Sequence, residues 1–120
     1  TGGEPLLQAA TPALLAKLAD AGKHVILETN GSLPIAPLDV RVRRILDVKC
    51  PASGMAGHNH WHNLGQLRSG DEVKFVVSDR GDFAWSLQVV KDYRLAERLP
   101  VLISPVFGKV PAPEAEARGV

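Results

Sequence analysis

The sequence predicts an α/β fold built on a parallel sheet. Three observations carry that expectation. Four short apolar runs recur along the chain, of the kind seen in strands covered on both faces. Stretches with helical spacing lie between them. The resulting strand–helix–strand order implies right-handed crossovers between parallel neighbours.

Thr11 can cap a first helix with Pro12 in its first turn, and Leu14, Leu15, Leu18 and Ala21 recur at helical spacing before Gly22 stops it. His24 to Glu28 (HVILE) reads as the first strand, ended by Thr29-Asn30-Gly31. Ile45 to Lys49 (ILDVK) reads as the second, ended by Cys50-Pro51. A short helix is expected within Gly57 to Leu67. Glu72 to Val77 (EVKFVV), rich in β-branched residues, is the third strand. Asp82 to Arg98 reads as one helix, with Phe83, Leu87, Val90 and Leu95 near one face and Pro100 beyond its end. Val101 to Ser104 (VLIS) is the fourth strand, stopped by Pro105. Residues 110–120, rich in Pro, Ala and Glu, read as a flexible tail after a domain over 1–109.

Composition narrows the function classes. The 120 residues are 45% apolar and 22% charged, ordinary values for a globular domain. No apolar run approaches the roughly 20 residues needed to span a bilayer. Fourteen Lys and Arg against thirteen Asp and Glu give a net charge of +1, leaving no field to draw nucleic acid or an anionic membrane. The single cysteine, Cys50, excludes an internal disulfide and an all-cysteine metal or cluster site made from these residues alone. It also predicts a reducing, cytoplasmic setting.

In parallel α/β folds ligands bind beyond the carboxyl ends of the strands. Thr29-Asn30, Lys49 with Ser53, Ser78-Asp79 and Ser104-Pro105 are therefore the positions to read. The opening Thr1-Gly2-Gly3-Glu4-Pro5 has the same character, because glycines let backbone approach a ligand closely. Glu4 sets a carboxylate beside exposed backbone groups, which suits a ligand ammonium better than a phosphate; a plain tight turn is the alternative.

The string G-G-E-P resembles the motif with which radical S-adenosylmethionine enzymes hold the methionyl amino group. Glu28-Thr29-Asn30-Gly31, Asp47-Val48-Lys49-Cys50-Pro51 with Ser53-Gly54-Met55, Asp71-Glu72-Val73-Lys74-Phe75 and Ser104-Pro105-Val106-Phe107-Gly108 extend the likeness. Together, over about residues 1 to 109, they resemble the 7-carboxy-7-deazaguanine synthases of the queuosine and 7-deazapurine pathway.

That resemblance implies the parallel-sheet part of a shortened (β/α) radical S-adenosylmethionine barrel. It implies a lyase that converts 6-carboxy-5,6,7,8-tetrahydropterin to 7-carboxy-7-deazaguanine with loss of ammonia. The cofactors it implies are S-adenosylmethionine, a [4Fe-4S] cluster and Mg2+, with a small-molecule pterin as substrate and a homodimer as assembly. Carried over residue by residue, Thr1 would touch the pterin. Gly2, Gly3 and Glu4 would hold S-adenosylmethionine, Glu4 as partner of its ammonium. Asp47, Val48 and Lys49 would contact it from a strand end, with Lys49 suited to its carboxylate. Ser104, Pro105, Val106 and Phe107 would make the last contacts. The family's cysteine-rich loop, magnesium ligand and closing His-Lys pair have no match here. No catalytic or metal-ligating residue is therefore assigned, and the chain is expected to be an N-terminally truncated fragment, inactive alone. Another radical S-adenosylmethionine enzyme, such as a glycyl-radical activating enzyme, and a non-catalytic α/β binding module are the rival readings.

Other residues admit two readings. His58, His60 and His62 alternate, which on a strand would put three imidazoles on one face for a transition metal; a polar loop is the plainer reading. Cys50 beside Lys49 is either a thiol of lowered pKa or a small buried residue. Glu28 is a general base or a partner of a neighbouring turn. Lys74 is half of an internal ion pair or a cofactor contact. Trp61 and Trp85 read as packing residues, since no basic stripe accompanies them.

Overall fold

A computed structural model describes residues 3–106. Thr1, Gly2, Phe107 and the expected tail over 110–120 lie outside the described residues.

Helix α1 spans Thr11–Asp20, strand β1 Ile26–Thr29, β2 Arg43–Val48, helix α2 His62–Gln66, β3 Glu72–Val77, α3 Arg80–Asp92, α4 Leu95–Arg98 and β4 Val101–Pro105. The strands form one parallel sheet in the order β1-β2-β3-β4, so chain order and spatial order coincide. Same-handed crossovers between sequential neighbours put every connection on the same side. Leu15 and Ala19 of α1, Leu64 of α2, Val89 of α3 and Leu95 of α4 accordingly pack with Leu27, Leu46, Val48, Val73, Phe75 and Val77 into one core. The β1–β2 connection has no helix of its own and contributes Ile35, Leu38 and Val42 instead, all buried.

Strands buried on both faces were expected; among the described residues the helices cover only one face. Burial alternates along β2 and β3, with Leu46, Val48, Val73, Phe75 and Val77 beneath the helices. Ile45, Asp47, Glu72, Lys74 and Val76 point to the uncovered face. The apolar runs are continuous in sequence because the open face still carries Ile26, Ile45 and Val76, yet it is also charged. Among the described residues β1 and β4 are the sheet's edges, and Ile26 and Leu102 on them are exposed, as are Leu14 and Leu18 on α1.

Local chemistry sets the boundaries. Helix α1 ends in a Schellman motif, with Lys23 N–H donating to Leu18 O at 3.1 Å and Gly22 N–H to Ala19 O at 3.0 Å. Gly22 supplies the required left-handed conformation, at φ +81. Thr11 does not cap that helix; it is the first helical residue, and its hydroxyl donates to Pro5 O at 2.7 Å. The single helix expected over 82–98 is two helices, because Arg94 adopts φ 54 between α3 and α4. Its buried side also differs: Asp82, Ser86 and Val89 face inward while Leu87 is exposed. Asp79 caps α3 by accepting from Asp82 N–H at 2.7 Å. Asp82 in turn accepts from Ser78 N–H at 2.9 Å and Ala52 N–H at 3.0 Å, which ties the 51–53 turn to the start of α3. Trp61 and Trp85 pack against the core with ring centroids 5.8 Å apart, and Trp61 stacks on Tyr93.

At the other end of the sheet Arg44 and Asp71 form an ion pair whose side chains are each 2% exposed. Asp71 Oδ2 accepts from Arg44 Nη2 at 2.7 Å and Nε at 3.1 Å, and Oδ1 from the Arg44 backbone N–H at 2.9 Å. Burial pushes the Asp71 pKa up, but the Arg44 side chain, the backbone N–H groups of Arg44 and Arg68 and the nearby guanidinium charge outweigh it. Its carboxyl is held below the usual range.

Candidate functional site

The uncovered face and the carboxyl ends of β1 and β2 enclose a cleft of about 370 Å³. Gly3, Glu4, Glu28, Thr29, Asn30, Ile45, Asp47, Lys49 and Lys74 line it. A second lobe of about 210 Å³ shares Glu4, Asn30 and Lys49 and adds Leu7, Ser32, Met55, His58 and Asn59.

Glu4 joins the opening segment to the end of β1. Its Oε2 accepts from Thr29 Oγ1 at 2.6 Å and Leu6 N–H at 3.1 Å, and its Oε1 from Asn30 N–H at 2.8 Å. The tight-turn role is therefore real, since Glu4 caps the 3-10 turn Pro5–Leu7. One acceptor site on Oε1 is left for a donor in the cleft. Gly3 adopts φ +108, and a Cβ built there would meet nothing within 4 Å, so its backbone faces open space.

Asp47 and Lys49 leave β2 on the cleft side, two residues apart. Lys49 Nζ donates to Asp47 Oδ2 at 3.0 Å. The Lys49 backbone is held by Asn59, whose Oδ1 accepts from Lys49 N–H at 3.1 Å while its Nδ2 donates to Lys49 O at 2.9 Å. Asp47 Oδ1 is buried and has no hydrogen-bond partner among the described residues. Lys74 stands opposite Asp47 in the β2–β3 register.

The structure thus gathers Gly3, Glu4, Asp47 and Lys49 around one cleft and separates other expected contacts from it. The Val48 side chain, 3% exposed, packs under the helices. Ser104 and Pro105 close β4 at the far edge, and Val106 N–H donates to Val77 O at 2.8 Å; none of the three lines the cleft.

Several alternatives are resolved. Among the described residues Glu28 bonds no neighbouring turn; its side chain is exposed and lines the cleft. Lys74 forms no ion pair among the described residues. His58, His60 and His62 are not on a strand: His58 closes a 3-10 turn and His62 opens α2. Among the described residues no group of three or more His, Cys, Asp or Glu is placed to hold a metal ion. Cys50 lies on the helix-covered face with its Sγ 3.4 Å from Ser86 Oγ, and burial pushes its thiol pKa up rather than down. No helix among the described residues is long and apolar enough to cross a membrane.

Residues that shape the loops were not singled out by motif. Asn63, 1% exposed, accepts from Ile35 N–H at 2.9 Å and donates to Leu33 O at 2.8 Å and Gly31 O at 3.2 Å. It replaces the helix that the β1–β2 connection lacks. Arg44 could have been found from the parity Val42-Arg44-Leu46-Val48, which puts it among core positions.

Comparison with known proteins returns one name repeatedly. The chain is 40% identical over 111 residues to the 7-carboxy-7-deazaguanine synthase of Koribacter versatilis, covering 91% of this chain and 49% of that protein. It is 37% identical over 113 residues to the Chlorobaculum tepidum protein of the same name, covering 92% and 51%. It is 40% identical over 109 residues to the Methanospirillum hungatei one, covering 90% and 45%. The chain spans about half the length of these curated relatives. No family model and no solved structure matches it. With Gly3 and Glu4, the β1 end and the β2 end gathered around one cleft, the chain is similar to the 7-carboxy-7-deazaguanine synthases over about half of their length.

Proposed function

We propose that these residues form the cofactor-side wall of a radical S-adenosylmethionine 7-carboxy-7-deazaguanine synthase. The observation that carries this reading is the charge pattern of the cleft. Carboxylates of Glu4, Glu28 and Asp47 and the ammonium groups of Lys49 and Lys74 line one cleft. Such a pattern complements a ligand that bears both an ammonium and a carboxylate, as the methionyl end of S-adenosylmethionine does. Its volume falls in the range of small-molecule sites, about 300–1,000 Å³.

In this reading Glu4 Oε1 accepts from the ligand ammonium, and the Gly3 backbone allows the ligand to approach. The sheet forms one wall of a (β/α) barrel, with the ligand at its carboxyl end on the face that carries no helix. The reaction is the conversion of 6-carboxy-5,6,7,8-tetrahydropterin to 7-carboxy-7-deazaguanine with loss of ammonia. A [4Fe-4S] cluster does not fit these residues, because Cys50 is the single cysteine and its Sγ faces the core rather than the cleft. No step is assigned to it here, and no Mg2+ ligand set is found among the described residues.

An amide-detected NMR titration with S-adenosylmethionine tests the binding claim. The Gly3, Glu4 and Asn30 amides should shift saturably, and adenosine alone should leave them in place. Absence of those shifts at millimolar ligand would overturn it. For the reaction, this chain supplied with a cysteine-bearing cluster-binding segment and reconstituted anaerobically should release 7-carboxy-7-deazaguanine and ammonia. Cleavage of S-adenosylmethionine without that product would favour another radical reaction.

A further inference from the structure

Two groups in the cleft are left without the partner their chemistry calls for. Lys74 lies mid-strand on the helix-free face, lines the cleft and forms no ion pair among the described residues. On β2 its register neighbour is Asp47, and on β4 it is Leu102, which brings no charge. Asp47 gives its Oδ2 to Lys49 instead, at 3.0 Å. Its Oδ1 is buried and accepts nothing among the described residues. A buried carboxylate oxygen without a donor is costly, and native structures retain few of them.

These facts divide the two lysines by role. Lys49 is already neutralised by Asp47 and fixed at its backbone by Asn59. Lys74 offers three N–H donors with no carboxylate paired to it among the described residues. We propose that Lys74, rather than Lys49, receives a carboxylate of the small molecule bound in this cleft, while Asp47 Oδ1 accepts a hydrogen bond from a donor on the same molecule. The assignment rests on the cleft being the small-molecule site of the proposed synthase. Two carboxylates could meet Lys74: the methionyl group of S-adenosylmethionine and the carboxylate of the pterin.

The test is an NMR titration of the whole chain, wild type and Lys74→Met, with four ligands. These are S-adenosylmethionine, its decarboxylated analogue, 6-carboxy-5,6,7,8-tetrahydropterin and the tetrahydropterin lacking the carboxylate. For one of the two pairs, Lys74→Met should weaken the carboxylate-bearing ligand about ten- to a hundredfold and leave its carboxylate-free partner unchanged. Lys74→Arg should recover most of that loss, and Lys74→Gln, which keeps polarity without charge, should not. The amide spectrum of each variant reports whether it is folded, and Lys74→Gln takes the place of Lys74→Met if the latter is not. Equal weakening of both members of each pair, or no weakening, overturns the assignment while leaving the cleft a binding site. If none of the four ligands moves the wild-type cleft amides at millimolar concentration, the assignment and the proposed function fall together.

Discussion

The Glu4 carboxylate accepts the Thr29 hydroxyl at 2.6 Å, binding the first described turn to the end of β1. The same carboxylate takes the Asn30 and Leu6 amides. Replacement by Gln substitutes an NH2 group for one of the two oxygens and removes the charge that strengthens all three bonds. Glu4→Gln should therefore cost about 1–2 kcal/mol of stability, read by urea denaturation. Hydrogen exchange at the Asn30 amide should accelerate in the same variant, while an amide of β3 should change only by the global amount.

Arg44 and Asp71 stabilise the opposite end of the sheet, and removing one partner strands the other in the core. Asp71→Asn should cost about 3–5 kcal/mol at neutral pH. The pH dependence has a definite sign. Asp71 is held below its ordinary pKa in the folded chain, so its contribution is fully present above the unfolded value of about 3.9 and is lost as pH falls through the folded value. Wild type should lose stability on that acid limb. Denaturation curves of Asp71→Asn across the same range should lack this group's share of the slope.

Asn63 serves three backbone groups of the β1–β2 connection from one side chain. Asn63→Ala leaves them without partners in a buried setting and should cost about 3 kcal/mol. Asn63→Asp keeps the acceptor for Ile35 N–H but sets carboxylate oxygens against the carbonyls of Gly31 and Leu33. It should be at least as destabilising, measured as the urea midpoint.

Cys50 should behave as an unreactive core residue. With its thiol pKa raised by burial, alkylation of the native chain by a neutral maleimide should be slow at neutral pH and become rapid in denaturant. Fast native labelling would mean that the 50–53 segment opens far more readily than its hydrogen bonds to Ser86 and Asp82 suggest.

Much of the fold is legible in the sequence, and the misses have physical causes. Strand β3 falls on the expected residues because EVKFVV combines β-branching with a clear end. The start of β2 is displaced because Arg43 and Arg44 look like solvent-facing charge, whereas Asp71, far along the chain, makes Arg44 a core residue. The helix break at Arg94 carries no Gly or Pro to announce it. At the cleft, Glu4, Asp47 and Lys49 are residues that the motifs single out. Whether Lys49 or Lys74 is the uncommitted cation depends on the Asp47 rotamer, which no linear pattern contains. The importance of Asn59 and Asn63 was equally hidden, since each acts on the backbone of a distant loop.

The order β1-β2-β3-β4 bears on how the chain assembles as it is made. No strand must be inserted between two already paired, so each strand finds its neighbour's edge exposed when it emerges from the ribosome. Loop closures stay short, and pairing can proceed from the N-terminal side outward at the pace of translation. The buried Arg44 is the exception to this vectorial scheme. It must wait for Asp71, so the base of β2 should be the last part of that strand to become protected in a pulse-labelled nascent chain.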